Sequence, residues 1–187
     1  MCQRLNRLLS LRDEIEADKV GPIIDQILLI NKEDEDGGLV GESAKHRQPI
    51  HLHIQSGGGD VLDSFALADV MITSHTPVYT YCDGYVESAA VNIYLAGSKR
   101  FVYPHSRFLI HNMKTTLENK TNSNIHEYVE YLNDLELYEI DFLTRGTKIS
   151  ESEIRNIIQH NIEYLFGSAK AIELGVATHD IRELYEM

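Results

Sequence analysis

The chain has 187 residues, of which 43% are hydrophobic and 25% charged, and it carries a formal net charge of -12. That length builds one domain with a real core but not two ordinary ones, and the apolar content excludes disorder as the dominant state. The acidic balance argues against a nucleic-acid partner, which would need a basic patch.

Near the N-terminus, Leu8-Leu9-Ser10-Leu11 is broken at once by Arg12 and Asp13. It is too short for a signal-peptide core. No run reaches the ~18 apolar residues of a membrane span, and no lipidation signal or internal repeat is visible. Cys2 and Cys82 lie far apart, with no spacing that suggests a metal site or a disulfide framework. The expected setting is reduced and cytoplasmic, with no membrane, metal or cofactor.

In chain order, Val20, Ile23, Ile24, Ile27 and Leu28 recur at helical spacing and predict a helix over 17–30. Pro22 sits near its first turn, where a missing N–H costs little. Residues 32–48 are polar, acidic and glycine-containing, and read as an exposed loop. Ile50, Leu52 and Ile54 alternate with His51 and His53 as a strand. Ser56-Gly57-Gly58-Gly59 forces a tight turn, and 63–74 reads as a helix with Leu67, Val70 and Met71 inward. A strand over 78–82, a turn at Asp83-Gly84 and a small-residue helix over 88–96 follow. Two short strands are expected at 100–103 and 107–111. This alternation predicts an α/β layer with right-handed crossovers. Asn124 with Glu127 is an asparagine version of a capping box, opening a helix to Arg145 that Gly146 ends. Ile125, Tyr128, Val129, Leu132 and Leu135 form one stripe. Leu137, Tyr138, Ile140, Phe142 and Leu143 add apolar positions elsewhere, so this helix calls for more than one packing partner. A last helix over 168–174 stops at Gly175.

Three features bear on chemistry. Ser88 follows a strand and a glycine and opens a helix rich in small residues. There it is either a plain N-cap serine or a nucleophile beside free backbone N–H groups. The glycine run is either an ordinary strand-to-helix turn or a backbone oxyanion hole and docking edge for an extended peptide. Its spacing is wrong for a dinucleotide site. His111 ends a strand and is either a structural histidine or a base at the sheet edge. His51 and His53 share one strand face but lack the further ligands of a metal site. Nucleophile, base and oxyanion donors are the parts that acyl transfer needs.

The same residues carry a family resemblance. Ile54-Gln55-Ser56-Gly57-Gly58-Gly59 resembles the I-N-S-P-G-G turn of the ClpP family, with glycine for proline. Gly84-Tyr-Val-Glu-Ser88-Ala-Ala resembles its G-x-A-A-S-M-A nucleophile motif. Arg100 to His111 resembles its R-x-x-x-P-N-S-R-x-M-I-H run, and Phe166 to Gly175 its F-x-S-A segment, one residue compressed. The likeness covers about residues 5 to 180.

The resemblance implies a single peptidase domain over 1–187, with a crotonase-like α/β spiral and a protruding handle helix in the region of about 112–146. It implies heptameric rings paired into a tetradecamer that cleaves polypeptides. Ser88 takes the nucleophile's place, His111 the base's, and the N–H groups of Gly58 and Ala89 the oxyanion donors, flanked by Gly57 and Gly59. Counting back from Ala171, the acid falls on Glu163; counting forward from Ile154 reaches Asn161. Glu87 replaces a small residue beside the nucleophile, and the 32–48 loop is roughly ten residues longer than the family pattern. The family's leading hairpin, which meets an AAA+ ATPase unfoldase, has no counterpart ahead of the first strand, and this sets that partner in question. Two other readings stand beside the active peptidase: a catalytically weak ring subunit that assembles with an active paralogue, and an acyl-CoA enzyme on the crotonase fold.

Overall fold

The computed structural model describes residues 5–114 and 122–184. Among them a seven-stranded sheet runs in the order β1-β2-β3-β4-β7, with β5 paired to β3 and β6 to β5. The strands are β1 (Leu8–Leu11), β2 (Ile50–Ser56), β3 (Val78–Glu87), β4 (Lys99–Val102), β5 (Arg107–Ile110), β6 (Tyr164–Gly167) and β7 (His179–Asp180). Every pairing is parallel except β5 with β6. The helices are α1 (Ala17–Asp36), α2 (Val61–Thr73), α3 (Ala90–Leu95), α4 (Asn122–Gly146), α5 (Glu151–Gln159) and α6 (Ser168–Glu173).

The two faces of the sheet differ. Ile50, Leu52 and Ile54 of β2 are fully buried in the main core with residues from α1, α2 and α3. On the opposite face the histidines between them join an aromatic stack. The His53 ring lies 4.5 Å from Tyr81 and Tyr81 lies 4.8 Å from Phe101, both nearly parallel. His51 Nδ1 is 2.7 Å from the Tyr81 hydroxyl, and His53 Nδ1 is 2.9 Å from Asp83. Both histidines therefore have partners within the sheet.

Several sequence expectations are corrected. The first helix runs on to Asp36, so the loop begins at Gly37 rather than Lys32. The buried stripe Val20, Ile23, Ile27, Ile30 continues at Asp34, a polar residue in an apolar register. Asp34 accepts hydrogen bonds from Arg7 (3.1 Å) and Thr76 (2.6 Å). Burial alone would raise its carboxyl; those hydrogen bonds and the charges of Arg7 and Arg47 hold it below the usual value. The rest of the insertion is tied down too. Gly41–His46 forms a 3-10 turn, and buried Arg47 donates to the Leu39 carbonyl (2.8 Å) and to Thr76 (3.2 Å).

Asp83-Gly84 is not a turn. β3 continues through it to Glu87, and the register with β2 shifts between Ile54 and Ser56. Gly84, at φ 138, supplies the conformation that this irregularity needs. As a result Ser88 lies outside the helix, which starts at Ala90 with Ala89 at its cap position. The long helix starts at Asn122, so Asn124 sits in its first turn rather than at the cap; the side chains of Asn124 and Ile125, and Cys2, lie outside the described residues. Its inward stripe is Leu135, Glu139, Ile140 and Leu143, whereas Val129, Leu137 and Tyr138 are exposed. The structure also holds elements that the pattern reading passed over, among them α5, capped by Ser150 accepting from the Glu153 N–H, β6 and β7.

Candidate active site

The site forms where β2, β3 and β5 end. Beyond β2, Gly58 and Gly59 adopt φ 102 and 143. Ile15 docks against this turn as a parallel bridge to Gly59, its N–H donating to the Gly58 carbonyl and its carbonyl accepting from Asp60, each at 2.8 Å. A methyl on Gly59 would overlap the Ile15 backbone. A methyl on Gly58 would lie 2.7 Å from the Ser88 Cβ and 3.2 Å from the Ala89 nitrogen. Only glycines let this turn reach both neighbours.

Ser88 has φ 55, a left-handed conformation that few side chains other than asparagine adopt without strain. It is held from both sides. Its N–H donates to the Leu109 carbonyl (2.8 Å) of β5, and its carbonyl accepts from Val91 (2.9 Å) at the start of α3. α3 is buried along its whole length, which anchors the elbow. The N-cap reading of Ser88 therefore gives way to a sharp strand-to-helix elbow, and the side chain is directed into a cleft.

His111 follows β5 directly. It is half-buried, and its Nδ1 is a buried atom with no hydrogen-bond partner among the described residues. Ser88 and His111 line one cleft of about 590 Å³ together with Ile15 and Gly59. A larger cleft of about 800 Å³, lined by Leu8, Arg12, His53, Asp83 and Tyr103 among others, contains neither residue. The smaller one is the candidate site, because Ser88 and His111 both line it.

The remaining expected residues fall as follows. Gly57 is exposed and Ala89 is buried behind the elbow. The Gly58 N–H donates to Ser56 Oγ at 3.2 Å. Glu163 is exposed and pairs with Lys114, 3.6 Å away. Asn161, at φ 51, ends α5: its N–H reaches the Ile158 carbonyl and the Ile162 N–H the Ile157 carbonyl, the bonding of a Schellman stop. Its side chain accepts from Asn112 at 3.3 Å. Among the described residues neither Glu163 nor Asn161 hydrogen-bonds to His111. Sequence reasoning missed the rim of the cleft: Glu14, Glu16, Asp60, Asp63, Met113 and Lys114. The one local signal was Asp60 three residues before Asp63, the pattern of an N-cap that α2 in fact uses.

A parallel sheet with one antiparallel addition, a serine elbow entering a short buried helix, and a glycine turn pressed against it make up the crotonase-like α/β fold of ClpP. The chain superimposes on a ClpP1 point mutant from Listeria monocytogenes with a TM-score of 0.74 at 21% identity, covering 94% of this chain and 91% of that one. The model of the Clp protease family matches residues 1–183, and the chain belongs to that family. It is 38% identical over 107 residues to an ATP-dependent Clp protease proteolytic subunit 2 of Treponema denticola, covering 56% of this chain and 48% of the relative. A proteolytic subunit 1 of Rhodopirellula baltica is 32% identical over 108 residues, covering 57% and 43%. The matched segment thus spans about half the length of these curated relatives.

Proposed function

We propose that this chain is the proteolytic subunit of a serine peptidase, with Ser88 as nucleophile and His111 as general base. The observation that carries the reading is the left-handed Ser88 elbow opening into the same cleft as His111. Ser88 Oγ attacks the peptide carbonyl while His111 takes its proton and later passes it to the leaving amine. The N–H groups of Gly58 and Ala89 receive the developing oxyanion. For Gly58 this means exchanging its long bond to Ser56 for the substrate oxygen.

Glu163 is the third member. Along β5–β6 the pairs run Arg107 with Gly167 through Ile110 with Tyr164. The ladder ends there, and continuing it by one step would bring Glu163 toward His111, which supports the assignment. Glu163 must then trade Lys114 for the imidazole. A catalytically weak subunit draws support from the unpartnered His111 Nδ1; the acyl-CoA reading has no such observation behind it. We take the chain as one domain acting on polypeptides in the cytoplasm, with the region of about 112–146 as a handle that pairs heptameric rings into a tetradecamer. An AAA+ unfoldase is the partner such a chamber would use.

Fluorophosphonate labelling read by intact mass tests the assignment. One adduct is expected on the wild type and none on Ser88→Ala. A variant that labels as well as the wild type, or a wild type that does not label, removes Ser88 from the role.

A further inference from the structure

The cleft that holds Ser88 and His111 has a one-sided electrostatic rim. Ile15 is held opposite Gly59 by two backbone hydrogen bonds, its N–H donating to the Gly58 carbonyl and its carbonyl accepting from the Asp60 N–H. That clamp brings Glu14 and Glu16, on either side of Ile15, alongside Asp60 and Asp63 at the start of α2, and all four line the cleft. Among the described residues none of the four forms an ion pair with a lysine or arginine, while nearby Asp13 and Asp18 share Lys19. Among the described residues, the one lysine or arginine on the rim, Lys114, pairs with Glu163. Burial, with the neighbouring charge of Asp60, raises the Asp63 carboxyl, as crowding of like charges does. That this cleft receives a ligand rests on a separate observation, the convergence of the Ser88 elbow and His111 within it.

We propose that the rim selects basic polypeptide substrates, taking peptides with Lys or Arg close to the scissile bond and repelling acidic ones. The inference deepens the peptidase reading and rests on it. A peptide whose cations approach the rim gains from four carboxylates that pair with no lysine or arginine among the described residues. An acidic peptide meets a field of its own sign at the rim.

The test uses the whole protein, first labelled with a small neutral fluorophosphonate that is indifferent to rim charge. Two fluorogenic peptides are compared that differ only in Lys-Lys or Glu-Glu flanking the cleaved bond. The lysine peptide is expected to show a kcat/KM about tenfold or more higher at low salt. The ratio should shrink several-fold near ~1 M salt, where screening acts within about 3 Å. Glu14→Gln combined with Glu16→Gln, both at exposed positions, should shrink it at low salt. Equal or inverted rates on a protein that labels overturn the inference and leave the peptidase standing. Failure to label removes the peptidase reading and the inference together.

Discussion

Glu139→Gln is the most direct probe of the α4 packing. Glu139 is only 4% exposed, and its Oε2 is buried without a hydrogen-bond partner among the described residues. Burial, with a smaller push from Glu136, raises its carboxyl from 4.5 to about 7. The folded state therefore binds the proton more tightly than the unfolded chain, and stability falls as pH rises between those values. Below about pH 4.5 the group is neutral in both states and costs nothing electrostatically; above 7 the full penalty applies, roughly 3 kcal/mol for a shift of this size. Glutamine keeps the shape and never ionises, but its amide adds a buried donor that costs ~1–3 kcal/mol if unpaired. The informative quantity is thus a double difference. Between pH 5 and pH 8 the wild type should lose about 2–3 kcal/mol more unfolding free energy than the variant, read by urea titration at one fixed protein concentration. Parallel pH dependences in the two proteins would refute the reasoning.

Three further outcomes follow from the geometry. Gly58→Ala places a methyl 2.7 Å from the Ser88 Cβ at φ 102; it should cost ~1–3 kcal/mol of stability and slow fluorophosphonate labelling by on the order of 10²-fold, and unchanged labelling would detach the glycine turn from the site. Glu163→Gln should lower kcat by roughly 10²–10⁴-fold with little change in Tm, whereas Asn161→Gly should keep both, since glycine suits a left-handed helix stop; the reverse ranking in a peptide-cleavage assay would make Asn161 the third member. Leu137→Glu with Tyr138→Glu alters side chains that are 50% and 64% exposed, so it should barely change subunit stability yet reduce particle mass in sedimentation, and an intact assembly would move the ring contact off α4.

The elements that were legible share a strong local signal. The alternation of Ile50, Leu52 and Ile54 names a half-covered strand, and the glycines at 146 and 175 name helix ends. Asp34 shows why the first helix ran past its expected end: a buried acid held by Arg7 and Thr76 looks like solvent-facing charge in sequence, and its partners lie 27 and 42 residues away. Asp83-Gly84 shows the converse. The dipeptide is a turn signal, but pairing of β3 with both β2 and β5 overrides it and turns the glycine into a strand irregularity. β6 escaped because four residues, one of them glycine, carry no periodicity.

The same limit governs the third catalytic residue. Counting along the chain from either side reached Glu163 or Asn161, because the two anchors differ by a compressed segment whose geometry no count contains. The fold gives the two positions different surroundings. Asn161 is occupied by the end of α5, where its left-handed backbone closes two helix bonds and its amide holds Asn112. That conformation is a task in its own right, and one for which asparagine is among the few suited residues. Glu163 is exposed, and among the described residues its ion-pair partner is Lys114 on the cleft rim. On the proposed reading, continuing the β5–β6 ladder one step past Ile110 and Tyr164 would bring Glu163 toward His111. On the proposed reading, a charge-stabilising third member is a carboxylate free of structural work, set beside a histidine whose buried Nδ1 has no hydrogen-bond partner among the described residues.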